Sequence, residues 1–302
     1  MSAVLLPLAD DGPLATALAT RLGARVGTLR WTRFPDAESL IAIDPSVDGA
    51  DVVLVASLNR PDDKALALRF AADTARELGA RSVGLVAPYL AYMRQDRRFH
   101  PGEAVSARAF ARFLDESVDW LVTVDPHLHR IKALGRVFRI PADCVSAAAP
   151  IAGWIRDHVE QPLLIGPDEE SAQWVERMAS AAGASYELLR KVRHGPTDVE
   201  VSLPDVRRLR GRTPVLVDDI VSTGKTMCAV LEHLHGRCEP AICVVIHPLF
   251  VGDAFESLYR AGAGLVVSTD SIPHSSNAIR LDEPIATAVA ARLAATSIEI
   301  GP

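Results

Sequence analysis

The sequence predicts an α/β fold with mainly parallel sheets, arranged as two tandem domains, and three of its features lead there. Short apolar runs alternate with amphipathic helical stretches: VVLVASL, a helical pattern from Asp62 to Leu78, VGLVAPYL, and a comparable series after Gln161. The stretch VVLVASLNRPDDKALALRFAADTARELGARSVGLVAPYL shares its strand, loop, helix, strand order with PVLVDDIVSTGKTMCAVLEHLHGRCEPAICVVIHPLF, as duplicated domains would. The length of 302 residues accommodates two such units.

Composition narrows the function. A hydrophobic share of 49% with 23% charged residues reads as soluble and globular. The formal net charge of −6 argues against a nucleic-acid backbone or an acidic membrane surface as the main partner. No apolar run approaches the ~18 residues that span a bilayer, and the opening AVLLPLA is strand-like rather than a basic leader, so a cytoplasmic location is expected. Cys144, Cys228, Cys238 and Cys243 lack zinc-site spacing and read as reduced structural thiols.

Taken in order, the strand ends carry the chemistry. RFPDAES, residues 33–39, is turn-like; Phe34 offers a ring to stack on adenine, and Asp36 and Glu38 can accept from its exocyclic amine. An ordinary turn explains the same residues. PYLAYMRQDRRFHPGE follows an apolar strand with Arg94, Gln95 and Asp96 leading a basic cluster suited to polyphosphate, though a solvated basic loop is the plain alternative. VTVDPHLH sets Asp125, His127 and His129 after another apolar run, where His127 could orient a metal-bound nucleotide or simply occupy a turn. RVFRI is strand-like, and the domain boundary is expected between Pro141 and Ser146, giving domains 1–143 and 144–302.

In the second half, IGPDEES places Asp168 after LLIG, ahead of a helical run from Glu170 to Ala182; a carboxylate there is a candidate magnesium ligand. LLRKVRH ends an apolar stretch in Lys191 and Arg193, a basic loop. PVLVDDIVSTGKTM is the most informative segment. Its apolar strand delivers Asp218 and Asp219 to the carboxyl edge of a sheet, where their carboxylates can accept from vicinal hydroxyls. Ser222, Thr223, Gly224, Lys225 and Thr226 then offer backbone N–H groups, hydroxyls and a helix N-terminus to a phosphate. A ribose 5-phosphate satisfies both halves. A Walker A loop would need glycine where Asp219 stands; the remaining alternative is a helix capped by Ser222 or Thr223 beside two solvated acids. In the first copy Ala56 and Ser57 occupy the matching places, so only the second copy has the acidic pair.

RFPDAE, PYLAYMRQDRR, DPHLH, GPDEE with KVR, and VDDIVSTGKT, in this order, resemble the ribose-phosphate diphosphokinase (phosphoribosyl diphosphate synthetase) family from about Arg33 to the C-terminus. The resemblance implies two tandem phosphoribosyltransferase-like (type I) domains and transfer of the β,γ-diphosphoryl group of ATP to the 1-hydroxyl of ribose 5-phosphate, with Mg2+. It further implies that Phe34, Asp36 and Glu38 contact adenine across a subunit interface of a homo-oligomer, dimer or hexamer. Arg94, Gln95 and Asp96 would hold the nucleotide, and His127 and Asp168 would engage magnesium and ATP. Asp218 and Asp219 would bind the ribose hydroxyls and Ser222 to Thr226 the 5-phosphate, while Lys191 and Arg193 would stabilise the transferred group. Ser222 and Lys225 stand where many relatives read DTGGT, Glu169 to Ser171 replace common glycines, and Ala37 replaces another. The STGKT and PYLAYMRQDRRF spellings resemble the archaeal-type branch. A phosphoribosyltransferase acting on a base fits less well, because it needs no ATP segments. A non-catalytic regulatory homologue is disfavoured by the retained Lys191, Arg193, His127 and both aspartates.

Overall fold

The computed structural model describes residues 3–44, 47–98, 100–128, 133–166, 172–189, 191–193, 199–202 and 204–299. Two compact units divide it: Met1–Ser146 with Asp282–Pro302, and Ala147–Leu281.

The first unit runs β1 (Ala3–Pro7), α1 (Gly12–Leu22), β2 (Arg25–Val26), an antiparallel hairpin β3 (Thr28–Arg33) and β4 (Ser39–Asp44), β5 (Asp51–Val55), α2 (Pro61–Glu77), β6 (Ser82–Ala87), α3 (Ser106–Asp115), β7 (Trp120–Val124) and β8 (Ala142–Val145). The second runs α4 (Ala148–His158), β9 (Pro162–Gly166), α5 (Ala172–Ala182), β10 (Ser185–Leu188), a second antiparallel hairpin β11 (Lys191–Arg193) and β12 (Val199–Val201), β13 (Thr213–Val221), α6 (Lys225–Leu234), β14 (Ala241–Pro248), α7 (Ala254–Arg260), β15 (Ala263–Thr269) and β16 (Asn277–Ile279). The last helix, α8 (Asp282–Glu299), closes the chain.

Each unit holds one six-stranded sheet, ordered β2-β1-β5-β6-β7-β8 and β10-β9-β13-β14-β15-β16. All the pairings in both sheets are parallel. Renumbered within each unit the two orders are identical, and the hairpin sits after the second strand in both. The alignment of VVLVASL with PVLVDDIV is therefore an alignment of third strands, β5 with β13.

Strand composition explains the burial. Every residue of β5, β6 and β7 is buried, as expected for parallel strands covered on both faces. Their apolar side chains pack with Ala67, Leu68 and Ala71 of α2 and Ala107, Phe110 and Leu114 of α3. In the second unit Leu216, Met227, Val230, Cys243 and Leu258 belong to one such core.

Two expectations are corrected. RVFRI is not a strand: Leu134–Arg136 form a 3-10 turn, the N–H groups of Arg139 and Ile140 donate to Asp115 Oδ1 (2.9 and 3.3 Å), and β8 begins only after Pro141. Helix α8, expected in the second domain, belongs to the first unit: Arg21 Nε donates to Asp282 Oδ2 (2.5 Å), and the Arg292 guanidinium pairs with both oxygens of Asp143. RFPDAES is a turn as expected, the tip of the β3–β4 hairpin, whose alternating TLRWTR and SLIAID pair in register from Thr28 with Asp44 to Arg33 with Ser39.

Candidate functional site

In open parallel sheets ligands collect at the carboxyl ends of strands where the strand order reverses. In the second unit that point lies between β9 and β13. Around it leave the segments after β10 and β9, which carry Lys191 and Arg193, and Asp168, together with the end of β13 and the loop after it, which carry Asp218 to Thr226. Asp168 lies outside the described residues. Lys191 and Arg193 are placed on β11, paired with Val201 and Val199.

β13 is longer than its sequence implies, continuing through Val221, so Asp218 and Asp219 lie within the strand, not beyond its end. Parallel pairing of Asp218 with Val245 and Ile220 with His247 outweighs the low strand preference of aspartate. Both acids are half-buried. Asp218 Oδ1 accepts from Asp219 N–H (2.9 Å) and Asp219 Oδ1 from Ile220 N–H (2.8 Å), fixing the two carboxylates against their own backbone.

Ser222 and Thr223 do not cap α6. The N-cap is Gly224 at φ +69°, with no side-chain cap bond, so the loop's hydroxyls are not spent on the helix. Gly224 is needed for that left-handed turn. The loop is braced from the segment after β14: Phe250 N–H donates to Val221 O and Val251 N–H to Ser222 O, both 2.9 Å. Phe250 holds φ +34° and packs its ring against Phe255 and His274, with centroids 5.2 and 4.8 Å away. Burial pushes the His274 imidazole below its ordinary value, favouring a neutral ring in this apolar contact. The spacing of FVGDAF could have flagged this brace, but only the pairing of β14 shows what it holds. Thr223 and Lys225 line a cavity of about 500 Å³ with Cys228, Asp253 and Arg260, which places Lys225 toward the α6–α7 groove.

In the first unit the equivalent reversal lies between β1 and β5, and its strand exits are sealed by the chain itself. Asp11 Oδ2 accepts from Ser57 N–H (3.0 Å), while Lys64 Nζ donates to Ser57 O and Asn59 Oδ1, both 2.6 Å. Asp11, Ser57 and Lys64 are all buried. Desolvation raises the Asp11 carboxyl and lowers the Lys64 ammonium, each partly offset by the charge of the other. The donors that a phosphate would need, the Ser57 N–H and the Lys64 ammonium, are turned to acceptors of the chain itself, so this copy is a packed polar plug. Lys64→Met is expected to cost about 2 kcal/mol, because it leaves buried acceptors without a donor; a urea unfolding midpoint unchanged from the parent would contradict this.

The nucleotide candidates also lie in the first unit. β6 and β7 are neighbours, pairing Ala87 with Thr123, so the segments after them leave from one edge: Arg94, Gln95 and Asp96 from β6, His127 from β7. Arg94 and Gln95 are exposed, while Met93 beside them is buried. Asp125, before His127, holds φ +31° and donates its N–H to Val145 O (3.0 Å). Phe34, Asp36 and Glu38 are exposed at the β3–β4 tip. The tip is closed by Phe34 N–H to Glu38 O (2.8 Å) and Glu38 N–H to Asp36 Oδ1 (3.2 Å), with Ala37 at φ +70°, a conformation that favours glycine.

Of the described residues, none form a cluster of three or more His, Cys, Asp or Glu able to hold a metal by themselves. Magnesium does not need one, since it is commonly held by one or two carboxylates with waters and substrate phosphates. Among the described residues no helix is long and apolar enough to cross a membrane.

A family profile described as the N-terminal domain of ribose phosphate pyrophosphokinase matches residues 3–117, and one described as a phosphoribosyl transferase domain matches residues 142–254. The ribose-phosphate pyrophosphokinase of Methanopyrus kandleri is 36% identical over 290 residues, covering 95% of this chain and 98% of its own. That of Halobacterium salinarum is 35% identical over 287 residues, covering 95% and 100%. A crystal structure of phosphoribosylpyrophosphate synthetase from Mycobacterium smegmatis shares the fold, with a TM-score of 0.83 over 98% of this chain and 100% of that one at 24% identity.

Proposed function

The chain belongs to the ribose-phosphate pyrophosphokinase family, and from that premise we propose how its residues divide the work of making 5-phosphoribosyl 1-diphosphate and AMP from ribose 5-phosphate and ATP. The observation that carries the division is the contrast between the two strand-order reversals. The copy between β9 and β13 keeps an acidic pair and an uncapped loop, while the copy between β1 and β5 is plugged by Lys64. One ribose-phosphate site per chain follows.

In this reading Asp218 and Asp219 accept from the ribose hydroxyls, and Ser222, Thr223, Gly224, Lys225 and Thr226 surround the 5-phosphate. Phe34, Asp36 and Glu38 take the adenine, Arg94, Gln95, Asp96 and His127 the rest of ATP. The 1-hydroxyl oxygen gives its proton to water and forms a bond to the β-phosphorus as the bond from that phosphorus to the AMP oxygen breaks. Lys191 and Arg193 offset the charge that spreads over the transferred group. Asp168 and His127 would hold Mg2+, which supplies charge neutralisation on the polyphosphate. A cytoplasmic homo-oligomer, with the adenine segment offered to a neighbouring subunit, completes the proposal.

Incubation with ATP, ribose 5-phosphate and Mg2+ should release AMP and phosphoribosyl diphosphate in equal amounts, and chelation should stop both. Asp219→Asn should raise KM for ribose 5-phosphate by about tenfold or more, at little cost to KM for ATP, because it weakens hydrogen bonds to a charged acceptor. A rise confined to ATP would reverse the assignment.

A further inference from the structure

Tyr92 holds φ +65°, a left-handed conformation that is costly for a bulky side chain and persists only where its surroundings over-determine it. Three contacts do so. Its hydroxyl donates to Asp62 Oδ1 in the first turn of α2, and its ring packs on Phe110 of α3, with centroids 4.9 Å apart at 57°. Its carbonyl accepts from Gln95 N–H (3.0 Å), and Gln95 O in turn accepts from Ala107 N–H (3.2 Å) at the start of α3. The turn from Tyr92 to Gln95 is thus pinned to two helices, with buried Met93 inside it and Arg94 and Gln95 facing outward.

We propose that Tyr92, clamped by Asp62 and Phe110, is a positioning residue for ATP: it fixes the turn that presents Arg94, Gln95 and Asp96. The inference rests on the assignment of those three residues to the nucleotide. Asp62 suits the task because it stands on the helix start that Lys64 ties down through Ser57 and Asn59. The same first turn also meets the hairpin tip, where Arg33 Nη1 lies 3.5 Å from Asp63 Oδ1, but that pair is half exposed and contributes little. The bond to Asp62 holds the Tyr92 phenol up at about 12, so it stays a donor across any practical assay range.

Tyr92→Phe keeps the ring on Phe110 and removes only the donor. It should raise KM for ATP and Kd for a nonhydrolysable ATP analogue about tenfold, the effect of losing a hydrogen bond to a charged group. KM for ribose 5-phosphate should hold. Asp62→Asn, which keeps an acceptor oxygen, should show a smaller rise, and Tyr92→Phe combined with Asp62→Ala should be no worse than the more impaired single variant. Arg94→Ala serves as the control. If it weakens ATP binding while Tyr92→Phe does not, the positioning role is overturned and the nucleotide assignment survives; if neither does, both fall. Parallel rises in both KM values with a lowered melting temperature would reduce Tyr92 to a general packing residue and also overturn the proposal.

Discussion

Lys191→Ala should lower kcat by about a hundredfold or more, while KM for either substrate moves only modestly. A cation aimed at charge that develops during phosphoryl transfer stabilises the transition state more than the bound substrates, and removal of one such group commonly costs a factor of 10²–10³, or ~3–4 kcal/mol. Lys191 suits the role by position: it begins β11, in antiparallel pairing with Val201, just after β10, whose neighbour in the sheet is β9. Arg193, two residues along the same strand, should give a comparable loss when replaced by alanine. Steady-state and single-turnover rates together separate the outcomes. A raised KM with full turnover would make these residues binding groups, and unchanged kinetics would remove them from the site.

Gly84→Ala should be the most damaging single methyl group in the first unit. A Cβ built on Gly84 would lie 2.0 Å from two ring atoms of Trp120 and 2.5 Å from a third. Gly84 and Trp120 are paired across β6 and β7, both strands are fully buried, and Trp120 is 3% exposed, so neither backbone nor ring has room to retreat. Forced overpacking of this kind costs about 3 kcal/mol or more. Calorimetry should show a lowered melting temperature, with the loss relieved in part by a second change, Trp120→Leu, which vacates the space. An unchanged melting temperature would mean that the two strands separate more easily than their pairing implies.

The particular residues show what was legible in advance. The apolar run before Asp218 and the alternation of strands and helices gave the sheets, because burial on both faces writes itself into composition. The length of β13 was not legible: aspartates disfavour strands locally, and only pairing with Val245 and His247 carries the strand past them. RVFRI misled for the opposite reason, since a strand-like composition was diverted into a turn held by Asp115. The place of α8 depends on Arg21 with Asp282 and Arg292 with Asp143, contacts between residues far apart in sequence. Tyr92 left no sequence signal beyond its neighbours, because a left-handed tyrosine is visible only in the backbone.

The two hairpins occupy the same topological slot: β3–β4 and β11–β12 each leave their unit after the second strand of its sheet. One arm carries Phe34 at its tip and the other begins with Lys191. In the proposed reading a single architectural position therefore serves two ends, recognition of a base in one unit and chemistry in the other, while the sugar-phosphate site beside it belongs to one unit alone.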